Sequence, residues 1–426
     1  WYVFACLGFY PVNPASGEYV LGAPQVPRAT LNLANGKTFT ITARNLSKKN
    51  KYVKSVALNG KPITDWKIRH AAIMDGGNLD FEMCANAETH ENPVIREDFP
   101  DPTFWSGDGG WVYGTATGRK TIHRSRNLVD WEDTHVPQIA TEDVASLELF
   151  SRQFWAPDVI KIGNRYLLYV TQFVNSDTNR LVCCESATPG GPFRFRSVVV
   201  ESWKIGKRDC AIDSDVVRDQ DGLWLFIGSV AGGIWRTCLT SDGLALDPGR
   251  GFEHVAGLIP ASDDRPWIYS HRCYEGSYLY RRGGWWYLFV SCGAIDDGTY
   301  KLCVGRSRTL DGVFVDRKDV RMTEGGGELL LSTMTGADFS GAGHNGEIFS
   351  DFQGRTYMFI HSQWKGCVRP GVKWPNGPRC VSLQEVHWDK EGWPYFETGA
   401  LLKQERKPDF KQIARKSAGT HPAKCP

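Results

Sequence analysis

The chain has 426 residues, more than one ordinary hydrophobic core accommodates, so two folded units are expected. Its 50 basic and 48 acidic residues leave a formal charge of +2, which gives no general electrostatic reason to expect nucleic acid or an anionic membrane as partner. No apolar run approaches the roughly 18 residues a membrane span requires, and 12% aromatics with 45 Gly suit Gly-bounded, aromatic-rich strands.

In chain order, the opening segment WYVFACLGFYPV lacks the basic start and small-residue cleavage site of a signal peptide, and reads as if an export signal lay upstream. TLNLANGKTFTITAR then alternates on either side of Asn35-Gly36, a strong hairpin signal. YVKSVALNG and NLDFEMC add strands. Residues 1–88 are therefore expected to form a small β-sandwich-like accessory domain, with the polar, Pro-ended ANAETHENP as linker.

From residue 92 a hydrophobic strand following a Gly or polar turn recurs five times: GGWVYGTAT, NRYLLYVTQ, GLWLFIGSV, GWWYLFVSC and GRTYMFIHS. A third strand and a turn follow in TIHRSRNLVDWE, LVCCESATPGGPF, IWRTCLTSDGL and KLCVGRSRTLDGVF, with a fifth echo in CVSLQEVHWDKEGWPYF. All-strand units repeated five times predict an all-β fold: a five-bladed β-propeller over 92–402 behind a small N-terminal β-rich domain. Residues 403–426 turn polar and basic and read as a solvated tail. The 12 Cys show no zinc-type spacing. Cys367 and Cys380 flank a Pro/Gly-rich loop where a disulfide could form, and most others sit in apolar strands as small hydrophobes.

Just upstream of these strands lie the chemically interesting residues. Asp101 precedes Trp111, Asp213 precedes Trp224 and Glu275 precedes Trp286 at nearly equal spacing; the second unit offers Asp158 and the fifth His344. An Asp before Pro, such as Asp101, is by itself usually a turn residue. Recurrence at matched places is what singles these acids out, because equivalent places in a radial array converge on one end of the central channel. Hydrolysis of a glycosidic bond with inversion needs one carboxylate to deprotonate water and one carboxylic acid to protonate the leaving oxygen, roughly 6.5–9.5 Å apart. A further carboxylate beside the acid would raise its pKa. No phosphate-cradling Gly loop, zinc-protease helix or nucleophile elbow is present.

Residues 92 to about 400 resemble glycoside hydrolase family 43 through NPVIREDFPDPTFW, HRSRNLVDWE, FWAPDVIKIGNRYLLYV, AIDSDVVRDQDGLWLFIGS, YEGSYLYRRGGWWYLFVS, GAGHNGEIF and WDKEGWPYF, in the family's order. The resemblance implies a propeller enzyme acting on arabinose- and xylose-containing glycans, with Asp101 as general base, Glu275 as general acid and Asp213 as the residue that orients the acid and raises its pKa. It implies that His344 faces the channel axis, where it helps hold a calcium ion or a water, and that Arg379 contacts substrate. No cofactor is required, though the channel could hold a structural calcium ion. Ser214 and Ser277 stand where the family usually has Pro, which bears on the sugar rather than on catalysis. Trp105, Trp155 and Trp235 lie beside the motifs and could stack on sugar rings as readily as pack between blades, and Asp158 is grouped with them as a substrate contact. His361 in FIHSQ could reach the channel, although core packing is the stronger expectation.

Residues 1 to about 85 resemble the C-terminal end of glycoside hydrolase family 92 α-mannosidases, without the upstream part that holds the mannosidase active site, so no mannosidase activity follows. The expected function is an inverting exo-acting α-L-arabinofuranosidase on plant polysaccharide side chains. Alternatives are a β-D-xylosidase, an endo-arabinanase, a galactose- or galactofuranose-releasing enzyme, or a carbohydrate-binding propeller without catalysis. The partner is an oligo- or polysaccharide and the setting secreted, periplasmic or cell-surface; oligomeric state stays open.

Overall fold

A computed structural model describes residues 2–11, 14–63, 66–85, 89–146, 154–175, 178–204, 210–261, 264–333, 337–351, 353–367, 375 and 377–409. The expected tail falls mostly on 410–426 and the middle of the linker on 86–88, both outside the described residues. The chain divides into two units, Trp1–His90 and Glu91–Pro408. Short helices are few and strands dominate both.

In the first unit the Asn35-Gly36 turn joins Arg28–Asn32 to Thr38–Arg44 in antiparallel register, with Gly36 at φ +81°. These two strands belong to a five-stranded sheet in which Thr38–Arg44 runs parallel to Gly77–Cys84. Alternation sends Phe39, Ile41, Leu79 and Phe81 to one face. There they are fully buried with Phe9, Leu21 and Ile68 of a three-stranded sheet, giving the unit its own core.

The second unit is a succession of five four-stranded antiparallel sheets, each in simple up-and-down order. The innermost strands are Thr103–Ser106, Phe154–Ile162, Asp215–Asp219, Glu275–Arg282 and Phe339–Ser350. Each touches the next, and the fifth returns to the first, so the array closes. Second strands such as Arg165–Asn175 and Trp285–Cys292 are buried on both faces, which is why they read as unbroken apolar runs rather than as alternation. One face serves each neighbour. Tyr166, Leu168 and Val170 pack with Trp105 and Ile122 of the first sheet, whereas Leu167 and Tyr169 pack with Val216 and Leu225 of the third. The junction that closes the array, fifth sheet to first, is aromatic: Phe104 stacks on Phe359 at 3.9 Å between centroids, with Trp131 against both.

A repeated hydrogen bond registers the inner strands. Asp158 Oδ2 accepts from Val216 N at 2.8 Å, Asp215 Oδ2 from Leu279 N at 2.7 Å, and the Tyr278 hydroxyl oxygen from Ile348 N at 2.9 Å. Glu347 accepts from Phe104 N, and from Thr103 Oγ1 at 2.9 Å. Four of the five junctions thus use the same position of the inner strand, each time received by the residue one place further along in the next sheet.

Cys367 and Cys380 are free thiols, contrary to the disulfide allowed by sequence. Cys367 Sγ donates to Arg96 O at 2.8 Å, and Cys380 is buried.

Candidate active site

The staple positions Thr103, Asp158, Asp215, Tyr278 and Glu347 fix a common reference in every inner strand. Two residues before the first four stand Asp101, Ala156, Asp213 and Gly276; three before Glu347 stands His344. All five have positive φ: +49°, +41°, +55°, +61° and +38° in that order. The left-handed residue ends the regular ladder or puts a bulge in it, as the register shifts at Trp155/Asp158, Glu275/Tyr278 and Gly343/Asn345 show. In this way one conformational device, repeated five times, groups side chains at one end of the ring.

Asp101 is buried and fully engaged. Its Oδ2 accepts from Thr117 Oγ1 at 2.7 Å, and its Oδ1 from Arg379 Nη1 at 2.9 Å. Its Oδ1 also lies 3.3 Å from His344 Nδ1, and its N–H donates to His361 Nδ1 at 2.9 Å. Thr117 Oγ1 in turn accepts from Ala156 N at 2.7 Å, linking the first and second sheets. Burial by itself would raise the Asp101 carboxyl, but Arg379, the two imidazoles and Thr117 outweigh it and hold the group well below the usual carboxylate range. Burial lowers both His344 and His361, His361 strongly, so neutral imidazoles face Asp101 at neutral pH and Arg379 carries the charge.

Glu275 opens the fourth inner strand. Its Oε1 accepts from the Tyr300 hydroxyl at 2.7 Å, and its Oε2 lies 3.3 Å from Ser229 Oγ. Asp213 Oδ2 accepts from Gly276 N at 3.2 Å, against the peptide that follows Glu275. Burial, aided by the charge of Asp101, raises Glu275; the Tyr300 and Ser229 hydroxyls pull the other way without cancelling it. Asp213 is raised strongly, by burial and then by the charges of Glu275 and Asp101. The charge of Glu275 thus raises Asp213, where sequence suggested an effect of Asp213 on Glu275. Ser277, in place of the usual Pro, donates to Asp213 O at 3.2 Å and ties the two strands at the acid.

The structure therefore brings Asp101, Asp213, Glu275, His344 and Arg379 into one set of contacts. Three other sequence candidates lie elsewhere. Trp105 is wholly buried against Tyr113 and Phe193, with its indole N–H donating to Pro189 O at 2.8 Å, so neither ring face is open to a sugar. Trp235 stands on the third strand of its sheet, half-buried against His254, and donates to Gly232 O at 2.7 Å. Asp158 is one of the inter-strand staples, and its buried carboxylate receives backbone N–H rather than substrate. Trp155 remains open, 37% exposed beside Phe173 and adjacent to Ala156. Sequence reasoning missed Thr117, Ser229 and Tyr300, and placed His361 in the core without its bond to Asp101; a lone hydroxyl inside an apolar strand carries no local signal.

Calcium asks for six to eight oxygen ligands. Among the described residues no group of three or more His, Cys, Asp or Glu side chains could hold a metal ion. His344 offers nitrogen, and the Asp101 oxygens already serve Arg379 and Thr117. Among the described residues these side chains do not by themselves make a calcium cage, and no chemistry is routed through a metal here.

What this arrangement can do is separate two carboxyl groups by protonation state, one ionised and one protonated, within a single cluster. Several known proteins are similar to this chain. Extracellular exo-alpha-(1->5)-L-arabinofuranosidase ArbA of Cellvibrio japonicus is 28% identical over 338 residues, covering 75% of this chain and 91% of that protein. Extracellular endo-alpha-(1->5)-L-arabinanase 2 of Bacillus subtilis is 23% identical over 381 residues, covering 76% of each. The solved structure of Cellvibrio cellulosa alpha-L-arabinanase complexed with arabinohexaose matches the fold with a TM-score of 0.57 at 24% identity, over 71% of this chain and 96% of that one. Residues 1–85 match the glycosyl hydrolase family 92 catalytic domain. Residues 90–394 match the model of glycosyl hydrolases family 43, and with the match spanning most of its length the chain belongs to that family as a glycosidase.

Proposed function

We propose that the protein is an inverting, exo-acting α-L-arabinofuranosidase that removes arabinose from plant polysaccharide side chains and works outside the cell. The five sheets of the second unit are then the blades of a five-bladed propeller, and residues 1–90 form an accessory unit. One observation carries the mechanism: Asp101 is held ionised by Arg379 while Glu275, in the same cluster, is pushed toward its protonated form. Asp101 accepts a proton from a water as that water attacks the anomeric carbon. Glu275 gives its proton to the glycosidic oxygen as the bond from that carbon breaks. The cycle leaves Asp101 protonated and Glu275 ionised, and exchange with solvent restores both. Asp213 keeps a proton available to the pair. Trp155 offers the exposed ring at the site for the sugar face.

The extracellular arabinofuranosidase and arabinanase relatives support the choice of sugar and the setting. The test is product analysis on linear and branched arabino-oligosaccharides, with the anomer followed by NMR. Release of single arabinose units with inverted configuration is expected, and longer fragments appearing first would assign endo action instead. Glu275→Gln is expected to reduce turnover of arabinobiose by roughly 10²–10⁴-fold, the usual worth of a general acid. Full activity of that variant would remove Glu275 from the role.

A further inference from the structure

Both oxygens of Glu275 have hydroxyl neighbours, and the two are unequal. Tyr300 donates to Oε1 at 2.7 Å, whereas Ser229 lies 3.3 Å from Oε2. A protonated carboxyl has one oxygen that carries hydrogen and one that only accepts. With Tyr300 donating to Oε1, the acidic proton sits on Oε2. When that proton leaves, Oε1 shares the new negative charge and the Tyr300 bond becomes charge-assisted, hence stronger and shorter. Such an interaction favours the transition state over the ground state, which is the kind that accelerates a step.

The ring of Tyr300 is fixed from two sides. It stacks on His361 with centroids 5.8 Å apart and planes 17° off parallel. On another side it passes so close to Gly343 that a Cβ there would stand 2.5 Å from Tyr300 Cε1. That contact accounts for the glycine before His344 in GAGHN. His361 in turn receives the Asp101 N–H through Nδ1, so the same aromatic pair reaches both carboxylates. Tyr300 is wholly buried and, through burial first and the charge of Glu275 second, stays protonated far above the ordinary tyrosine range, so it is a permanent donor.

We propose that Tyr300 is a positioning residue for the general acid: its hydroxyl assigns the transferable proton to Glu275 Oε2, and its ring, held between Gly343 and His361, sets the acid relative to Asp101. This rests on the reading of Glu275 as the acid. The groups around Glu275 that bear on its titration are Asp213 and Ser229 from the third sheet, Asp101 from the first and Tyr300 from its own, with Arg379 and the neutral His344 and His361 from the fifth. Removing the hydroxyl takes a donor from the ionised carboxylate. Glu275 then keeps its proton to higher pH, and the alkaline limb of kcat/KM moves upward.

The experiment compares Tyr300→Phe with the wild-type full chain on arabinobiose and on 4-nitrophenyl α-L-arabinofuranoside across pH, with thermal unfolding recorded alongside. Expected are an alkaline limb displaced upward by about one pH unit and kcat on arabinobiose reduced about tenfold, the worth of one hydrogen bond to a charged group. The 4-nitrophenyl substrate, whose leaving group departs with little protonation, is expected to lose much less. An unmoved limb, or an equal loss on both substrates in a folded variant, would overturn the proposal. Glu275→Gln run in parallel separates the two readings. If it is inactive on arabinobiose while Tyr300→Phe keeps the wild-type profile, only the positioning role fails; if it is fully active, the assignment of the acid fails first.

Discussion

Four non-glycine residues at the channel end, Asp101, Ala156, Asp213 and His344, hold a left-handed backbone that L-residues adopt at a cost of roughly 1–2 kcal/mol each. Three of them carry the polar groups of the site, and the fourth, Ala156, feeds its N–H to Thr117 and so to Asp101. Local strain here is what aims the groups. Arg379 shows how charge then sets their protonation. It is the cation on Asp101, and an opposite charge at hydrogen-bond distance depresses a carboxyl by about one to three units. Arg379→Met is therefore expected to raise Asp101, so that the base protonates at higher pH and the acid limb of kcat/KM moves upward by about one to two units. A pH–rate profile decides it, and an unmoved acid limb would show that Asp101 does not set it. In stability terms, the depressed Asp101 contributes above its unfolded pKa, and the contribution fades as pH falls through the folded one. The acids were legible in the sequence because each precedes its apolar second strand by nearly the same interval. Tyr300 and Thr117 were not, because which hydroxyl meets a carboxylate depends on packing across sheets and not on neighbours in the chain.

Among the elements, the inner strands show why a polar residue at one repeated position need not be functional. Asp158, Asp215, Tyr278 and Glu347 each accept from a backbone N–H of the next sheet. Asp158→Ala removes a buried hydrogen bond to a carboxylate, for which about 1–3 kcal/mol of lost stability is expected by denaturant unfolding, while both limbs of the pH–rate profile stay where they are. A displaced limb would return Asp158 to the catalytic cluster. This position was read from sequence as a substrate contact because Asp158, like Asp101, Asp213 and Glu275, lies just upstream of the apolar second strand of its repeat. The two-residue offset between the staple Asp215 and Asp213 of the carboxylate cluster is invisible without knowing where the left-handed turn falls. Tryptophans were misread for a similar reason. Trp105 sits beside Asp101 in the chain, but its strand position turns it into the packing between first and second sheets. Motifs that recur in sequence also recur as surface structure. Arg124 and Arg126 cover Trp111 at 4.2 and 4.3 Å from the ring, and Arg306 and Arg308 cover Trp285 at 4.1 and 3.5 Å. The shared Arg-Ser-Arg of HRSRN and VGRSRT thus shields an outer tryptophan in the first and fourth sheets.

For the whole molecule, the proposed acid and base stand in different sheets, so their separation is only as well defined as the closure of the ring. Asp101 comes from the first sheet, Asp213 from the third, Glu275 from the fourth and Arg379 from the fifth. A slip at any junction changes the gap in which the attacking water must fit. Four junctions are made by sheets consecutive in the chain. The fifth, between last sheet and first, depends on the segment that enters the ring. There Asn92 is 1% exposed, and its side chain donates to Leu383 O at 3.1 Å and Leu402 O at 3.0 Å while accepting from Leu383 N at 2.8 Å. Its own N–H reaches Lys403 O at 2.8 Å, and Val94 N and Phe99 N continue the contact to Val381 O and Arg379 O. One asparagine therefore ties the entry of the unit to its exit and to the third strand of the last sheet, next to the arginine that holds the base. Asn92→Ala removes three side-chain hydrogen bonds and leaves buried backbone groups unpaired, so a loss of about 2–4 kcal/mol is expected, more than any one inner-strand staple provides. Because the seam it closes lies between Arg379 and Asp101, activity should fall with temperature before global unfolding is complete, read as inactivation preceding the loss of near-UV dichroism. Coincident transitions would mean that the ring opens as one cooperative unit and that the asparagine contributes to stability without guarding the site separately.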